Sequence, residues 1–539
     1  MATELEMLLR SGPLLSGAAA QLLVERYGMS SATARKRIQR RELPVKSLEL
    51  SFPRNAQFLY LANDYGRDGF WRALATALEN GNGAYARAIW ALRARDGLIP
   101  LRHFAAAAAA SNGTRQIRGH DLFGRLVTVG LIDEYEVPGI GPCAAFARGA
   151  GYADVHVPKV KARLIAEDVM LHAFKRWAQH LALGSFDLFA LRDEASAPRV
   201  STFEWDMTAP SYLAPLATWS AEGGKPRQGF IAVDILLQQT VTLDAVKPFV
   251  YKCQSLRKLA RVGRCMPFFI AHHYSRDALD LLRKNGIVPA TPEKLFGQEV
   301  AQMLVELVDM LTRAAETATD PIKFEKLFSS LGKIGGATGR MRGALFEFIS
   351  AETLRQAMRI SDVQMNRIYR ENGKDAAEVD AQGCVRRQDA YFIECKGILP
   401  GSLLDDKEVD GWLNRRIAIV RRHALDNPEM QHVKMHFEMW VTGRLSPEAE
   451  AKIAERQQEI RPELYTLKVR CADDVAALIR DTKDKGLLEV FEQHFIKSPL
   501  ADTLEPSRPR KRWSPFNASD DDAWSPAIDE PTTTSDARP

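Results

Sequence analysis

Late in the chain, two short apolar runs with period-2 alternation stand side by side in VDAQGCVRRQDAYFIECKG, Val379 to Gly397, and predict two adjacent strands. Asp380 falls near the start of the first, while Glu394 and Lys396 share one face of the second. Two carboxylates and an amine therefore converge. Cys395 points to the opposite face, toward whatever covers the sheet. Further along, the pattern predicts a helix over Val409–His423, a strand over Val433–Thr442, a helix over Pro447–Glu459 and a strand over Leu464–Val469.

The earlier parts carry different periods. GAAAQLLVERYG predicts a helix closed by Gly28, and SSATARKRIQRR starts a second behind a serine cap after a short turn, which is helix-turn-helix spacing. In that second helix Ala34 and Ile38 face inward, and Arg35, Lys36, Arg37, Arg40 and Arg41 surround a solvent face suited to phosphates or base edges. More helices follow with glycine breaks, one of them over Ala105–Ala110, until HDLFGRLVTVGLIDEYEV passes from a helix through Gly130 into a strand, a winged-helix order. Trp71, Trp90 and Phe104 read as core. A long amphipathic helix, Val160–Leu183, then leads into VSTFEWDM and QGFIAVDILLQ as strands, a helix over Leu243–Leu259, the strand MPFFIAHH, a helix over Ser275–Lys284 and GIVPATPEKLFG. The pair His272 and His273 reads as a strand end, because neighbouring strand residues face opposite ways. A connecting helix with Val300, Leu304, Leu307 and Leu311 on one face follows. Beyond Ser498 the chain is rich in Pro, Ser, Asp and Thr, which predicts disorder around a basic RPRKRW patch, Arg508 to Trp513.

Composition narrows the classes. With 539 residues, 46% hydrophobic and 26% charged, the chain is long enough for three or four domains of ordinary globular type. The net charge of +5 gives no overall basic character, so any nucleic-acid surface is local. Six cysteines form no C-x-x-C pair, which argues against zinc or a disulfide framework and for a reducing cytoplasm. No stretch of about 20 apolar residues predicts a membrane span. Nothing matches G-x-x-x-x-G-K-[ST], so an ATPase function would have to come from a partner.

The convergent acids suggest chemistry. Mg2+ or Mn2+ takes oxygen ligands, so Asp380 and Glu394, with the Cys395 carbonyl, are candidate ligands for a metal set against a nucleic-acid backbone, and Lys396 would face the attacking water.

An acid in one strand followed by Glu-x-Lys in the next resembles the PD-(D/E)xK nuclease superfamily, in a version close to Mrr-type restriction enzymes. GRMRGALFEFISAETLRQAMRI, Gly339 to Ile360, resembles the first helix of that fold, whose inward glutamate matches Glu347. Val379 stands where the family's consensus has proline. The resemblance covers roughly residues 325 to 495 and implies a metal-dependent endonuclease with Glu347, Asp380, Glu394 and Lys396 as its catalytic set. The segment order over 158–297 repeats the one around Asp380, which suggests a degenerate copy with Glu167, Asp206 and Asp234 as counterparts and Leu236 where the lysine would stand; its two aspartates remain possible metal ligands.

The expected architecture is a multidomain α/β chain: a helix-turn-helix/winged-helix DNA-binding region over 1–155, a degenerate restriction-endonuclease-like domain over 156–298, a helical connector over 299–324, a PD-(D/E)xK domain over 325–497 and a disordered tail over 498–539. Duplex DNA is the expected partner, with a homodimer suited to cutting two strands, and an ATPase or defence-complex partner in anti-phage or mobile-element systems by analogy of fold. A non-catalytic DNA-binding regulator or assembly subunit, or a nuclease acting on RNA or branched DNA, are the competing expectations.

Overall fold

The computed structural model describes residues 3–496 except 49, 51, 82, 114–115, 148–149, 195–196, 218–226, 260–261, 314–320, 336–338, 372–374, 386–387, 429, 462 and 464. The tail expected over 498–539, with its basic patch, lies outside them. The protein is mixed α/β, with several small sheets.

The amino-terminal part contains one plan twice. Helix Glu4–Leu9, strand Leu14–Leu15, helices Ser16–Tyr27 and Ser31–Gln39, and strands Val45–Ser47 and Phe58–Leu61 form the first copy. Helix Ala84–Arg93, strand Leu98–Pro100, helices Leu101–Ala107 and Gly119–Thr128, and strands Ile132–Val137 and Gly141–Phe146 form the second. In both sheets the last strand lies between the other two. Local chemistry sets the first helix pair. Gly28 at φ 64 ends one helix, and the Ser30 side chain accepts a hydrogen bond from the Thr33 N–H to start the next. Ala34 and Ile38 then pack with Leu5, Leu9 and Leu23 in a small core. Trp90 and Phe104 are buried as expected. The helix expected over Ala105–Ala110 instead stops at Ala107, and Ala109 turns left-handed at φ 51. Small side chains permit a tight turn there. A Cβ on Gly119 would come within 2.8 Å of the Ala105 Cβ, so the next helix packs against almost bare backbone.

Two five-stranded sheets follow, and they too share a plan. The first runs Ala190–Leu191, Met207–Ser211, Gly229–Ile235, Cys265–Ile270, Val288–Ala290; the second runs Gln364–Glu371, Asp375–Val385, Asp389–Lys396, Lys434–Val441, Tyr465–Arg470. In each, the first three strands are antiparallel and the last two continue in parallel. A helix precedes each sheet, Ala150–His180 and Gly339–Ala357, and another crosses between the third and fourth strands, as a parallel connection requires: Leu243–Arg257 in one, and 406–426 with a π turn at Trp412–Arg416 in the other. Helices Gln298–Arg313 and Pro321–Gly335 lie between them. Phe174, Val233, Leu304, Phe324, Phe346 and Ile393 belong to one continuous apolar cluster, so the two sheets are welded through a shared helical layer.

Three elements depart from the expected pattern. VSTFEWDM breaks into Arg199–Val200, Phe203–Glu204 and Met207–Ser211 around Ser201 at φ 57. The long helix begins near Ala150 and runs through Pro158 instead of starting after it. Gln364–Glu371 adds an edge strand before Asp375–Val385, which leaves Asp380 mid-strand.

Candidate active site

Strand alternation and register bring the expected acids together. Ala381 pairs with Ile393, so the adjoining position sets Asp380 beside Glu394. Lys396 follows on the same face as Glu394, and Glu378 lines the same cleft. The edge strand gives way at this point: Met365 pairs with Ala381 and Arg367 with Val379, while Asn366 between them is left-handed at φ 53, a conformation asparagine tolerates. Glu347 arrives from the overlying helix. A Cβ on Gly397 would meet the Phe346 Cβ at 2.6 Å, so a glycine there lets the helix approach the strand end closely. Glu347, Glu378, Asp380, Glu394 and Lys396 all line one cleft of about 780 Å³.

Within the cleft the charges interlock. The Cys395 N–H donates to Asp380 Oδ2 at 2.6 Å, so it is this residue's amide that meets the acid. Lys396 Nζ lies 3.0 Å from both Glu394 Oε1 and Glu408 Oε2. Arg416 also donates to Glu394, and Lys161 to Glu378. Burial, reinforced by the neighbouring carboxylates Glu394, Glu347 and Glu378, pushes the Asp380 pKa well above its ordinary value. Burial and Glu378 push Glu347 up to about 7, against the pull of Lys161. For Lys396 burial alone would lower the pKa, but Glu394 and Asp380 outweigh it and raise it, so the amine is fully charged. Sequence reasoning missed Arg416, Glu408 and Lys161. The adjacent Arg415–Arg416 pair on the next helix was the available signal for the first; nothing local marked the others.

The donors suit a hard cation, since they are carboxylate oxygens, and burial raises the pKa of two of them, Glu347 and Asp380. Asp380 and Glu394 are the residues that would hold it, with Glu347 beside them. Among the described residues no three His, Cys, Asp or Glu side chains already stand as a closed metal-holding group.

The counterpart positions in the first sheet behave differently. Met207 pairs with Val233, which sets Asp206 beside Asp234 in the register that Asp380 and Glu394 share. The Ile235 N–H donates to Asp206 Oδ2 at 2.8 Å, the bond that Cys395 makes to Asp380. Yet this cluster is filled. Arg192 reaches Asp206 Oδ1 at 3.1 Å and Glu167 Oε2 at 2.6 Å, and Lys252 Nζ lies 2.5 Å from Asp234 Oδ2. All five side chains are at most 8% exposed. A guanidinium and an ammonium supply the positive charge, so these acids do not fit a metal as they stand, and the expectation that Asp206 and Asp234 remain ligands is corrected on that ground. The lysine absent at Leu236 is replaced from the crossover helix.

The basic helix lies apart from the cleft. Arg35, Lys36, Arg37 and Arg40 are exposed. Arg37 is held by Glu4 at 2.6 Å, and Arg41 by Ser47 at 2.7 Å. His272 and His273 join no metal-holding group among the described residues. No described helix is long and apolar enough to cross a membrane. No family model, curated protein or solved structure matches this chain.

Proposed function

We propose that the chain is a metal-dependent nuclease of PD-(D/E)xK type that hydrolyses phosphodiester bonds in DNA, with the second sheet as its catalytic domain, the first as a non-cleaving copy and the amino-terminal units as winged-helix DNA-binding modules. The observation that carries this reading is the convergence of Glu347, Asp380, Glu394 and Lys396 in one cleft. The strand order and preceding helix agree with the resemblance those residues first suggested.

A bound Mg2+ or Mn2+, held by Asp380 and Glu394, supplies polarisation of a phosphoryl oxygen and a water of lowered pKa. The chain's own groups do the rest. Lys396, charged and fixed between Glu394 and Glu408, presents its N–H groups toward the cleft to orient water and offset charge developing on phosphorus oxygens. Arg416 pairs with Glu394 and adds a second donor on the same side. Glu347, whose pKa stands near 7, can take up a proton from water at neutral pH.

Plasmid DNA incubated with and without Mg2+ or Mn2+, using the native chain and Lys396→Ala, tests the reading. Metal-dependent nicking by the native chain and none by the variant is expected. Duplex binding without cutting in both would favour a non-catalytic regulator, a role for which the cation-filled first cluster offers a precedent within the chain. Parallel assays on single-stranded DNA, branched DNA and RNA decide substrate class.

A further inference from the structure

The wall of the cleft facing the acids belongs to other parts of the chain. The hairpin turn between Ile132–Val137 and Gly141–Phe146 and the helix Ala150–His180 contribute Gly139 and Lys161. Lys161 lies 217 residues from its partner Glu378, and its side chain is 19% exposed. Gly139, at φ 76, sits against this pair: a Cβ there would come within 3.1 Å of Glu378 Oε2 and 3.3 Å of Lys161 Nζ. The hairpin tip thereby holds the ammonium at the cleft's edge.

Two other cations that line the cleft, Arg340 and Arg102, are engaged elsewhere. Arg340 Nη2 lies 2.8 Å from Asp193 Oδ2, and Arg102 donates to the same carboxylate, which His103 also meets at 2.8 Å. Asp193 belongs to the first sheet's side of the molecule and is no part of the acid cluster. Lys161 differs, because its partner is an acid of the cluster itself. Glu378 lines the cleft beside Asp380 and acts on its charge, yet it is not among the residues that resemble the family's catalytic set.

We infer that Lys161 is a substrate-binding residue of the second sheet's site, exchanging Glu378 for a phosphate oxygen of the nucleic-acid backbone when substrate enters. This rests on the nuclease reading for the identity of the substrate. An ammonium on a flexible four-carbon stem is suited to such an exchange, since it binds phosphate as a point charge without fixed geometry. The centre is then composite: the helix that introduces the non-cleaving sheet supplies a contact to the cleaving one.

The test measures binding of a short labelled DNA duplex across a range of salt, with cleavage silenced by Asp380→Asn in every protein. Lys161→Ala and Lys161→Gln should weaken binding roughly tenfold, the worth of a charged hydrogen bond. They should also reduce the slope of log K against log salt by about one, as expected when one phosphate is no longer neutralised. Lys161→Arg should keep both, and Glu378→Gln, which frees the ammonium, should tighten binding. An ion pair that only joins the domains would make the Lys161 and Glu378 variants change in the same direction, with the slope unmoved, and that result overturns the assignment. The nuclease reading is judged separately by metal-dependent cutting with the native chain. Absent cutting with the Lys161 effects intact removes that reading and leaves the lysine's phosphate contact standing; cutting with unaltered binding in the Lys161 variants does the reverse.

Discussion

Arg192 Nη2 lies 2.6 Å from Glu167 Oε2, at the heart of an acid cluster that repeats the register of the open cleft. A guanidinium there neutralises Glu167 and Asp206 together, with hydrogen bonds as well as charge. Removing one partner of such a buried set leaves uncompensated carboxylates.

Arg192→Ala should therefore destabilise the protein by roughly 3–5 kcal/mol in chemical denaturation. Carried out in an Asp380→Asn background, so that the open cleft is crippled, the same variant should regain part of that loss on adding Mn2+, because the vacated place is lined by Glu167 and Asp206 oxygens. Stability that ignores Mn2+ would mean that the guanidinium only fills space.

Much of this arrangement is legible in the sequence, and the remainder has identifiable causes. The Ser30 cap, the Gly28 stop and the alternation that puts Glu394 and Lys396 on one face are local, and they appear where the pattern predicts them. The edge strand Gln364–Glu371 went unread because QMNRIYRE is mostly polar, left-handed Asn366 interrupts it, and its few apolar residues pack on both faces. The helix expected from Val160 instead begins near Ala150, and packing carries it through Pro158. Arg416 and Lys161 reach the acids from 22 and 217 residues away, through folding alone. The helix-turn-helix order was visible once, but its repetition over Ala84–Phe146 depends on strand pairing, which short strands such as Leu98–Pro100 do not announce.

The proton on Glu347 should be visible in stability. Burial lifts its pKa in the folded state to about 7 from an ordinary value of 4.5. Between these values the folded chain keeps a proton that the unfolded chain has lost, so stability present at lower pH declines as pH rises through the window. Glu347→Gln should flatten that decline in a series of thermal melts, and saturating Mg2+ should flatten it in the native chain by replacing the proton's charge. A native melting profile as flat as the variant's would contradict the burial argument.

Arg416 offers a sharper test of the cleft's chemistry. It shares Glu394 with Lys396, and Glu408 lies 3.7 Å from its other nitrogen. Under the nuclease reading Arg416→Ala should lower the single-turnover cleavage rate by roughly 10², the usual cost of losing one preorganised donor. Arg416→Lys should recover part of it. Unchanged rates would assign Arg416 a purely structural place.

The basic helix makes a prediction independent of the cleft. Arg35, Lys36 and Arg40 are exposed and make no side-chain hydrogen bond or ion pair among the described residues, whereas Glu4 holds Arg37 and Ser47 holds Arg41. Free cations can release counterions from a duplex; tethered ones must first give up a partner. Replacing Arg35, Lys36 and Arg40 by Ala should therefore lower the salt dependence of duplex binding by about 0.9 in slope for every phosphate these side chains neutralise. Arg37→Ala should alter it less. Cleavage at saturating DNA should persist in the triple variant, because none of the three lines the cleft. If the slope stays constant while affinity falls, these residues support the fold of the first helical unit and duplex is held elsewhere.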